Sequence, residues 1–512
     1  MLYHFVIVNY MKLVLEILGV LSLIELLLTT PLLWRWRRVI AGLLVLGVAV
    51  TTGIVLGYNL RLWAVLFFVA GLYRIINLLR VIERRRQIEE LKKVVWQTSW
   101  QLIGLQLVLL GVAALQDQYN FSPQSWLIIL AAVQFLAATM LLLSTKRHLS
   151  TTRAPETVAS YADRDLPTLT VCIPARNETD DLHDCLESLI KSDYPKLEIL
   201  VLDDCSQERR TPEIIRTFAH DGVRFIAGKM PGDDWLAKNY AYEQLVEAAS
   251  GDVLLFCGVD ARFSSTSLRS LVATLLEKDK AMCSVIPRNA VLKSWHLGAL
   301  TVQTARYAWE MALPRRLWQR PPVLSTCWLI KRQALKQAGG FEAVKRSISP
   351  ERYLARQVAR QNDDYTFLQA GGPLELHSIK SLSEQHATAV RTRYPQLHRR
   401  PELVYILSVA ELTILLLPLA TLLLGLIYSN WLLALISLVT YIILTTFYCL
   451  NSALTYRQFR LNSLFLLPIA ATYDIALLNY SMWRYEFDEV IWKERNVCVP
   501  VMQVVPHLPK LD

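Results

Sequence analysis

The sequence predicts an α/β domain, a mostly parallel sheet between helices, inserted between two groups of transmembrane helices. Two observations predict it. Apolar runs crowd residues 12–144 and 402–483, and the stretch between them alternates short apolar runs with amphipathic segments. Strands that are apolar on both faces and joined by helices are typical of a parallel sheet covered on both sides. The distribution carries this prediction, because a content of 53% hydrophobic residues and a mean hydropathy of +0.30 are only mildly unusual.

Eight apolar segments have close to the ~20 residues that cross a hydrocarbon core. Five precede the middle region and three follow it: 12–34, 38–58, 61–80, 95–115, 125–144, 402–428, 431–453 and 461–483. Buried helices of a soluble bundle are the alternative, strongest for the fourth segment because it carries three glutamines. Residues 1–30 do not resemble a signal peptide, since the apolar run continues to Trp34 without a small-residue cleavage pattern.

Basic residues set the expected orientation. Lys and Arg follow the first, third and fifth segments, whereas the loop at 116–124 has neither. The positive-inside rule therefore predicts an outside N-terminus and a cytosolic stretch at 146–400. We expect a multi-pass protein of a cell membrane, such as the bacterial inner membrane. The net charge of +10 follows from these loops and a basic membrane-facing surface, so it does not require nucleic acid as a partner.

The predicted regions are a transmembrane part at 1–148, a cytosolic domain at 149–400, a second transmembrane part at 401–483, and a tail at 484–512. Three final crossings would place the tail outside. Tyr473 and Asp474 in the last apolar segment favour a segment that does not simply cross. Both arrangements stay open at this point.

The eight cysteines are scattered and contain no CxxC pair and no zinc-ligand spacing with histidine. Disulfides are unexpected in a cytosolic domain. Most of these cysteines are expected to be small buried apolar residues.

Five strands are predicted in the middle domain, with amphipathic helices near 180–192, 208–219, 236–249 and 266–278. The strands are "LTVCI" (169–173), "LEILVLD" (197–203), "VRFIA" (223–227), "DVLLFC" (252–257) and "AMCSVI" (281–286). Ligands of such sheets bind beyond the carboxyl ends of the strands.

Three polar clusters follow these strands: "PARNE" (174–178), "DDCS" (203–206) and "GVD" (258–260). Each alone is a weak signal, because Asp and Ser after a strand often cap the next helix. Three clusters at one sheet edge predict a shared binding site.

The segments "VCIPARNE", "LVLDDCS", "WLAKNYA", "GDVLLFCGVDARF" and "LIKRQALKQAGGFE" resemble family 2 glycosyltransferases of the GT-A fold, over about 168–400. The sequence looks most like the membrane-bound branch that glycosylates carotenoid- or hopanoid-type lipids. That branch has Gly-Trp-x-Gly-Lys where this chain has "DDWLAK" (233–238). It has Trp-Lys-Gly-Arg where this chain has "IWKERNV" (491–497).

The resemblance implies a nucleotide-sugar donor site. Pro174, Arg176 and Glu178 would line the nucleoside pocket, Asp204 would accept a hydrogen bond from the base, and Lys238 would sit near the diphosphate. The alternatives are a helix cap at Asp204 and a solvated lysine in a first helical turn.

The resemblance also implies a divalent metal, Mg²⁺ or Mn²⁺, on Asp260. "GVD" occupies the family's Asp-x-Asp position, with Gly258 in place of the first acid. One carboxylate is chemically sufficient, since Mg²⁺ is often held by one or two carboxylates together with phosphate oxygens. The alternative is a degenerate, inactive site.

Glu351 is the predicted general base. In the family, an acidic pair lies on a helix after a Gly-Gly-Phe element, which here is followed by Pro350 and Glu351. An ordinary helix start, with Ser349 as cap and Pro350 in the first position, is the alternative. Asp363 and Asp364 are weaker candidates because they fall after that helix.

"QLHRR" (396–400) is similar to the Gln-x-x-Arg-Trp element of processive polysaccharide synthases, which makes Gln396 and Arg399 candidates for an acceptor or interface role. Arg400 stands where those enzymes have Trp, which favours transfer of a single sugar. The stretch near 294–320, with three tryptophans, is expected at the bilayer surface or in a protein core.

These expectations together predict an inverting glycosyltransferase that moves a sugar from a nucleotide-diphosphate sugar to a lipid or lipid-linked acceptor at the cytosolic membrane face. A catalytically degenerate membrane partner with the same fold and a processive polysaccharide synthase are the alternatives.

Overall fold

The structure is a computed structural model that describes residues 2–58, 61–83, 88–119, 123–157, 161–178, 180–232, 234–289, 307–308, 310–312, 321–361, 364–455, 463–493 and 495–498. The chain forms two compact units. The first comprises Met1–Val133, Arg393–Leu435 and Ile475–Glu489, and the second comprises Gln134–Thr392, Ile436–Asp474 and Val490–Asp512.

Long apolar helices dominate the two ends of the chain. They are Leu2–Leu27, Arg37–Tyr58, Leu62–Glu83, Ile88–Tyr119, Pro123–Thr151, Pro401–Glu411, Leu417–Ile427, Trp431–Thr455 and Ser463–Phe487, with a one-turn helix at Pro31–Trp34 and a π-helical turn at Leu412–Leu416. The π-helical turn joins the two helices that flank it into one continuous segment.

Six helical segments within the described residues are long and apolar enough to cross a membrane: Arg37–Tyr58, Trp63–Ile82, Leu91–Leu115, Gln124–Thr151, Pro401–Ile427 and Trp431–Thr455. They coincide with six of the eight predicted segments. The first and last predicted segments fall mostly in helices Leu2–Leu27 and Ser463–Phe487. The chain therefore has the composition of a multi-pass membrane protein.

Polar side chains buried among the helices of the first unit pair with one another. The Arg74 guanidinium donates to the Glu25 carboxylate, with nitrogen–oxygen distances of 3.0 and 2.6 Å, and to Gln106 at 2.6 Å. Arg80 forms a buried ion pair with Glu486 at 2.7 Å. Burying a charge in an apolar environment is costly without a partner, so these pairs fix which helix faces meet.

The second unit contains a seven-stranded sheet in the order β3-β2-β1-β4-β8-β6-β9. The strands are β1 Leu169–Ala175, β2 Leu197–Asp203, β3 Val223–Ala227, β4 Val253–Cys257, β6 Met282–Ile286, β8 Cys327–Lys331 and β9 Tyr365–Gln369. All pairs are parallel except those of β8, which runs antiparallel to β4 and β6. This confirms the predicted fold class, and the five predicted strands match β1, β2, β3, β4 and β6 to within two residues.

Helices cover both faces of this sheet. They are Asp180–Ile190, Arg210–Thr217, Ala237–Ala248, Ser267–Glu277, Arg332–Gln337 and Pro350–Arg360, with single 3₁₀ turns at Ala219–Asp221 and Glu342–Val344. A further helix, Leu382–Gln396, follows them in the chain. Alternate residues of the strands enter two separate cores. Val171, for example, packs in the core on one face, whereas its neighbour Cys172 packs in the core on the other.

Two small sheets extend the second unit. One has the order β5-β10-β7, formed by Ala261–Phe263, Leu376–Ser378 and Arg288–Asn289. The other is a hairpin of β11 Ile491–Trp492 and β12 Arg495–Asn496, which we call the C-terminal hairpin. Both contribute residues to the site described next.

Candidate functional site

A cavity of about 370 Å³ opens beyond the carboxyl ends of β1, β2 and β4. The three polar clusters meet there, since Pro174, Arg176, Asp204 and Asp260 all line it. Parallel strands that end at one edge bring together residues far apart in sequence. The three clusters therefore lie together at one edge of the sheet, as predicted.

Six predicted site residues line this cavity: Pro174, Arg176, Glu178, Asp204, Lys238 and Asp260. Among the described residues of the cavity wall, Glu351 is not present. Gln396 and Arg399 belong to the first unit. Their predicted roles stay predictions, and the following contacts show what each side chain does in this structure.

The C-terminal hairpin holds the residues predicted for the nucleoside. Arg495 Nη1 donates to Asp204 Oδ2 at 2.7 Å, and Lys493 Nζ lies 3.0 Å from Glu178 Oε2. Arg176 Nε donates to the carbonyl oxygen of Lys493 at 3.0 Å. The acids on this side of the cavity therefore already have cationic partners on the hairpin.

Asp204 is a buried side chain and not a helix cap, because the helix that follows it begins at Arg210 with Arg209 at the cap position. Burial raises the pKa of the Asp204 carboxyl, and the hydrogen bond and charge of Arg495 offset part of that rise. Burial likewise raises the pKa of Glu178, against the charge of Lys493. The helix-cap alternative for Asp204 is wrong.

Lys238 lies at the start of helix Ala237–Ala248, with its ammonium 5.2 Å from the centre of the Tyr242 ring. Burial lowers the pKa of Lys238 to about 8; Glu351 opposes this shift, whereas Arg391 and Lys380 add to it. A lysine with this pKa stays cationic at neutral pH, and an anion in the cavity would hold its proton more firmly.

Asp260 is tied to the small sheet. Its Oδ2 accepts a hydrogen bond from the Ser378 hydroxyl at 2.7 Å and lies 3.3 Å from the Lys380 ammonium. Burial raises the pKa of this carboxyl, but Lys380 and Ser378 outweigh burial and bring the pKa below its ordinary value. Asp260 is therefore an ionised partner of Lys380 in this structure.

Glu351 lies in the first turn of helix Pro350–Arg360 and is 3% exposed. The helix-start alternative is correct for Pro350, which occupies a first-turn position, but the Ser349 side chain makes no cap hydrogen bond. Glu351 Oε2 accepts no hydrogen bond from the residues that the structure describes. Glu351 does not line the cavity, but its charge acts on Lys238 and Tyr242, which do.

None of the other predicted residues that the structure describes lines the cavity. Asp364 accepts backbone hydrogen bonds from the start of β6 through its carbonyl oxygen, and Asp363 lies outside the described residues. The Arg399 guanidinium packs 4.8 Å from the centre of the Tyr485 ring. Gln396 ends the helix that begins at Leu382. The stretch 294–320 falls largely outside the described residues.

One further acidic group lies at the surface. His183, Asp184 and Glu187 on helix Asp180–Ile190 bring their ligand atoms within 4.8 Å of one another, and all three are exposed. Of the described residues, this is the group of three or more His, Cys, Asp or Glu side chains with the spacing of metal ligands. It does not line the cavity, and exposed acids are common without a metal.

Sequence reasoning missed part of the cavity wall. The missed residues with polar or aromatic side chains are Asp181, Tyr242, Ser325, Thr326, Lys380, Glu384, Thr388, Arg391, Trp492 and Lys493. Only the last two had a signal, since they lie in "IWKERNV". Lys380 follows β10, a three-residue strand too short to be read from its pattern, and Arg391 lies in helix Leu382–Gln396.

The chain matches the family described as glycosyl transferase family 2 over residues 170–339. It is 26% identical over 187 residues to the probable glycosyltransferase YdaM of Bacillus subtilis, which covers 35% of this chain and 44% of that protein. It is 32% identical over 114 residues to glycosyltransferase AglE of Haloferax volcanii, or 22% of this chain and 36% of the relative. The chain thus spans less than half the length of these curated relatives.

Two solved structures are similar at low identity. The mannosyltransferase PcManGT from Pyrobaculum calidifontis in complex with GDP-Man and Mn²⁺ is 18% identical with a TM-score of 0.41, covering 70% of this chain and 97% of that one. Residues 1–349 of S. aureus TarS in complex with UDP-GlcNAc are 13% identical with a TM-score of 0.31, covering 56% and 91%. TM-scores this low carry no argument about function.

Proposed function

From the premise that residues 170–339 form a glycosyltransferase family 2 domain, we propose that this protein transfers a sugar from a nucleotide-diphosphate sugar to a lipid or lipid-linked hydroxyl. One observation carries the proposal. The cavity beyond β1, β2 and β4 brings together the residues that the resemblance assigns to the nucleoside and the diphosphate.

The donor would lie along the cavity from Asp204 to Lys238. Asp204 and Glu178 supply acceptors for the base and ribose once they exchange their hairpin partners Arg495 and Lys493 for the donor, and Pro174 and Arg176 line the same end of the cavity. Lys238 supplies positive charge where the diphosphate would rest. A compact ammonium suits this role, because its charge stabilises the negative charge that develops on the departing diphosphate.

We propose a single displacement with inversion at the anomeric carbon. The bond from the acceptor oxygen to that carbon forms as the bond to the diphosphate oxygen breaks, and the acceptor proton passes to Glu351. Support comes from the buried Glu351 Oε2, which accepts no hydrogen bond from the described residues. Glu351 does not line the cavity in this structure, so this role requires the carboxylate to become accessible to the acceptor hydroxyl when the substrates bind.

The predicted Mg²⁺ or Mn²⁺ ion fits poorly beside Asp260. Such ions take oxygen ligands, commonly carboxylates together with phosphate and water. The Asp260 carboxylate is already paired with Lys380. Of the other acids near it, Asp181 is paired with Arg262 at 3.2 Å, and Glu384 accepts hydrogen bonds from Ser381. An ammonium 3.3 Å from the ligand oxygen opposes a dication, so no step of the mechanism is assigned to a metal.

A lipid acceptor is supported by the six helices that are long and apolar enough to span a bilayer. A family 2 domain joined to such helices would receive an acceptor that diffuses within the membrane. The Lys and Arg residues that follow the first, third and fifth apolar segments support a cytosolic position for the domain.

The C-terminal hairpin supports an even number of crossings after the domain. Its Arg495 and Lys493 pair with Asp204 and Glu178 of the domain, which requires the tail and the domain to share one side of the membrane. Two crossings, by Pro401–Ile427 and Trp431–Thr455, meet this requirement. Helix Ser463–Phe487 would then enter the membrane without crossing it.

A transfer assay tests the proposal. The purified protein in lipid nanodiscs is incubated with labelled nucleotide sugars, one nucleotide at a time, and a total membrane lipid extract. We expect label to enter the organic-solvent phase, and Glu351→Gln to lose most of this activity while the exposed control Glu342→Gln keeps it. No transfer and no donor hydrolysis with any nucleotide sugar would support the degenerate partner instead.

Product size separates the remaining alternative. Replacement of the synthase Trp by Arg400 supports the addition of one sugar. Products one sugar longer than the acceptor are expected by mass spectrometry. A ladder of longer products would favour a processive synthase.

A further inference from the structure

Lys380 lies with its ammonium beside Asp260, the carboxylate predicted to bind a metal ion. Its ammonium lies 3.3 Å from Asp260 Oδ2, and the two side chains are about equally buried, at 15% and 16% exposed. The Ser378 hydroxyl donates to the same oxygen at 2.7 Å. Asp260 therefore has a fixed cation as partner, supplied by the chain itself.

This pairing is built into the fold. Strand β10 runs antiparallel to β5 with Ser378 opposite Ala261, and the Ile379 amide donates to the Asp260 carbonyl oxygen at 3.0 Å. The register of two short strands thus sets Lys380 beside Asp260. A change of register would place a different side chain there.

Position 258, two residues before Asp260, carries no side chain. A Cβ atom at Gly258 would lie 2.5 Å from Asp260 Oδ1, so the Asp260 carboxylate is turned toward the bare backbone at 258. Any side chain at 258 would therefore shift the carboxylate that pairs with Lys380.

Other cations face the same part of the cavity. Lys238, Lys380 and Arg391 all line the wall, and the charges of Lys380 and Arg391 both act on Lys238. Arg391 also lies 4.7 Å from the centre of the Trp492 ring. Against the carboxylates of Asp260 and Glu384, these three side-chain cations supply the positive charge and the charge-assisted hydrogen bonds that a diphosphate needs.

We propose that Lys380 binds the donor diphosphate in place of a divalent ion, and that Asp260 is a positioning residue that holds Lys380. This inference rests on the proposed function. It assigns to Lys380 and Lys238 the charge stabilisation that a metal supplies in a site with two carboxylates. Binding of a nucleotide diphosphate then does not require Mg²⁺ or Mn²⁺.

Equilibrium binding tests the proposal without activity. UDP, GDP, TDP and ADP are titrated separately into the full-length protein in nanodiscs, in EDTA and again in Mn²⁺. For the nucleotide that binds, we expect the two Kd values to agree within about twofold. Lys380→Met should weaken binding about tenfold or more in both buffers, the loss of one charge-assisted hydrogen bond.

Three variants sharpen the comparison. Lys380→Arg keeps the charge and should retain most of the affinity, and Lys336→Met, an exposed lysine outside the cavity, should bind as the parent does. Asp260→Asn should weaken binding by the same factor with and without Mn²⁺, because it acts through Lys380.

Either of two results would overturn the inference, and they differ in what they imply for the proposed function. Mn²⁺ that tightens binding by the parent more than tenfold, with that gain lost in Asp260→Asn and kept in Lys380→Met, would make Asp260 a metal ligand while the proposed function stands. Binding of none of the four nucleotides in either buffer would contradict the proposed function, and this inference with it.

Discussion

Lys238 shows how burial changes the acidity of one side chain in a way that its sequence context does not reveal. The sequence placed it near a diphosphate by resemblance alone, with a solvated lysine as the alternative. In the structure it lines the cavity with Asp260, Lys380 and Arg391, and burial lowers its pKa to about 8. A lysine of ordinary pKa would be fully charged under all physiological conditions, whereas this one titrates just above neutrality.

Donor binding should therefore depend on pH above about 8. There the free protein loses the Lys238 proton, and an anionic donor must restore it, so the Kd rises by up to about tenfold per pH unit. Titration calorimetry from pH 7 to 10, in two buffers of different ionisation enthalpy, measures both the Kd and the proton uptake. Lys238→Arg stays charged and should show a flat profile. An equal slope in parent and variant would show that another group titrates.

At the scale of elements, sequence patterns predicted where the strands lie in the chain better than they predicted which strands pair in the sheet. The runs that became β1, β2, β3, β4 and β6 were recognisable because each is short, apolar and bounded by polar turns. β8, at Cys327–Lys331, was recognised only as part of a family motif, and nothing in a fully buried strand tells its direction. Its antiparallel insertion between β4 and β6 depends on long-range packing.

Residues of the cavity wall could be predicted where they follow a strand with a clear apolar pattern, but not where they follow a very short strand. Pro174, Asp204 and Asp260 come directly after predicted strands, so the sheet rule placed them. Lys380 comes after the three-residue β10, and Trp492 comes from a hairpin more than 200 residues beyond β4. No local pattern connects such segments, because their meeting is a property of the folded domain.

The buried pair of Arg74 and Glu25 joins two apolar helices of the first unit. Arg74→Met would leave the Glu25 carboxylate without its cation and should cost about 3–5 kcal/mol of stability. The double variant Arg74→Met/Glu25→Leu should recover most of that loss, because neither charge is then buried alone. Thermal unfolding in detergent measures both, with the exposed Arg38→Met as control. A double variant as unstable as Arg74→Met would show that the pair contributes more than mutual neutralisation.

At the scale of the whole molecule, the contacts of the C-terminal hairpin with the site restrict the possible membrane topologies. The tail must share a side with the domain for Arg495 to bind Asp204. Glu489→Cys in the tail and Glu208→Cys in the domain should therefore react alike with a membrane-impermeant maleimide, in intact cells and in inverted vesicles. Ser429→Cys, between two of the membrane helices, should show the opposite accessibility. Opposite labelling of positions 489 and 208 would contradict the two-crossing arrangement.

If this protein is such a glycosyltransferase, a nucleotide sugar binds in the cavity beyond β1, β2 and β4. Photo-crosslinking tests it most directly, with azido-uridine and azido-guanosine diphosphate sugars, followed by peptide mapping by mass spectrometry. We expect label on peptides that contain residues 174–178 and 203–206, and we expect an excess of the unmodified nucleotide sugar to block this labelling. Label confined to other segments, or label that the unmodified donor does not block, would contradict it.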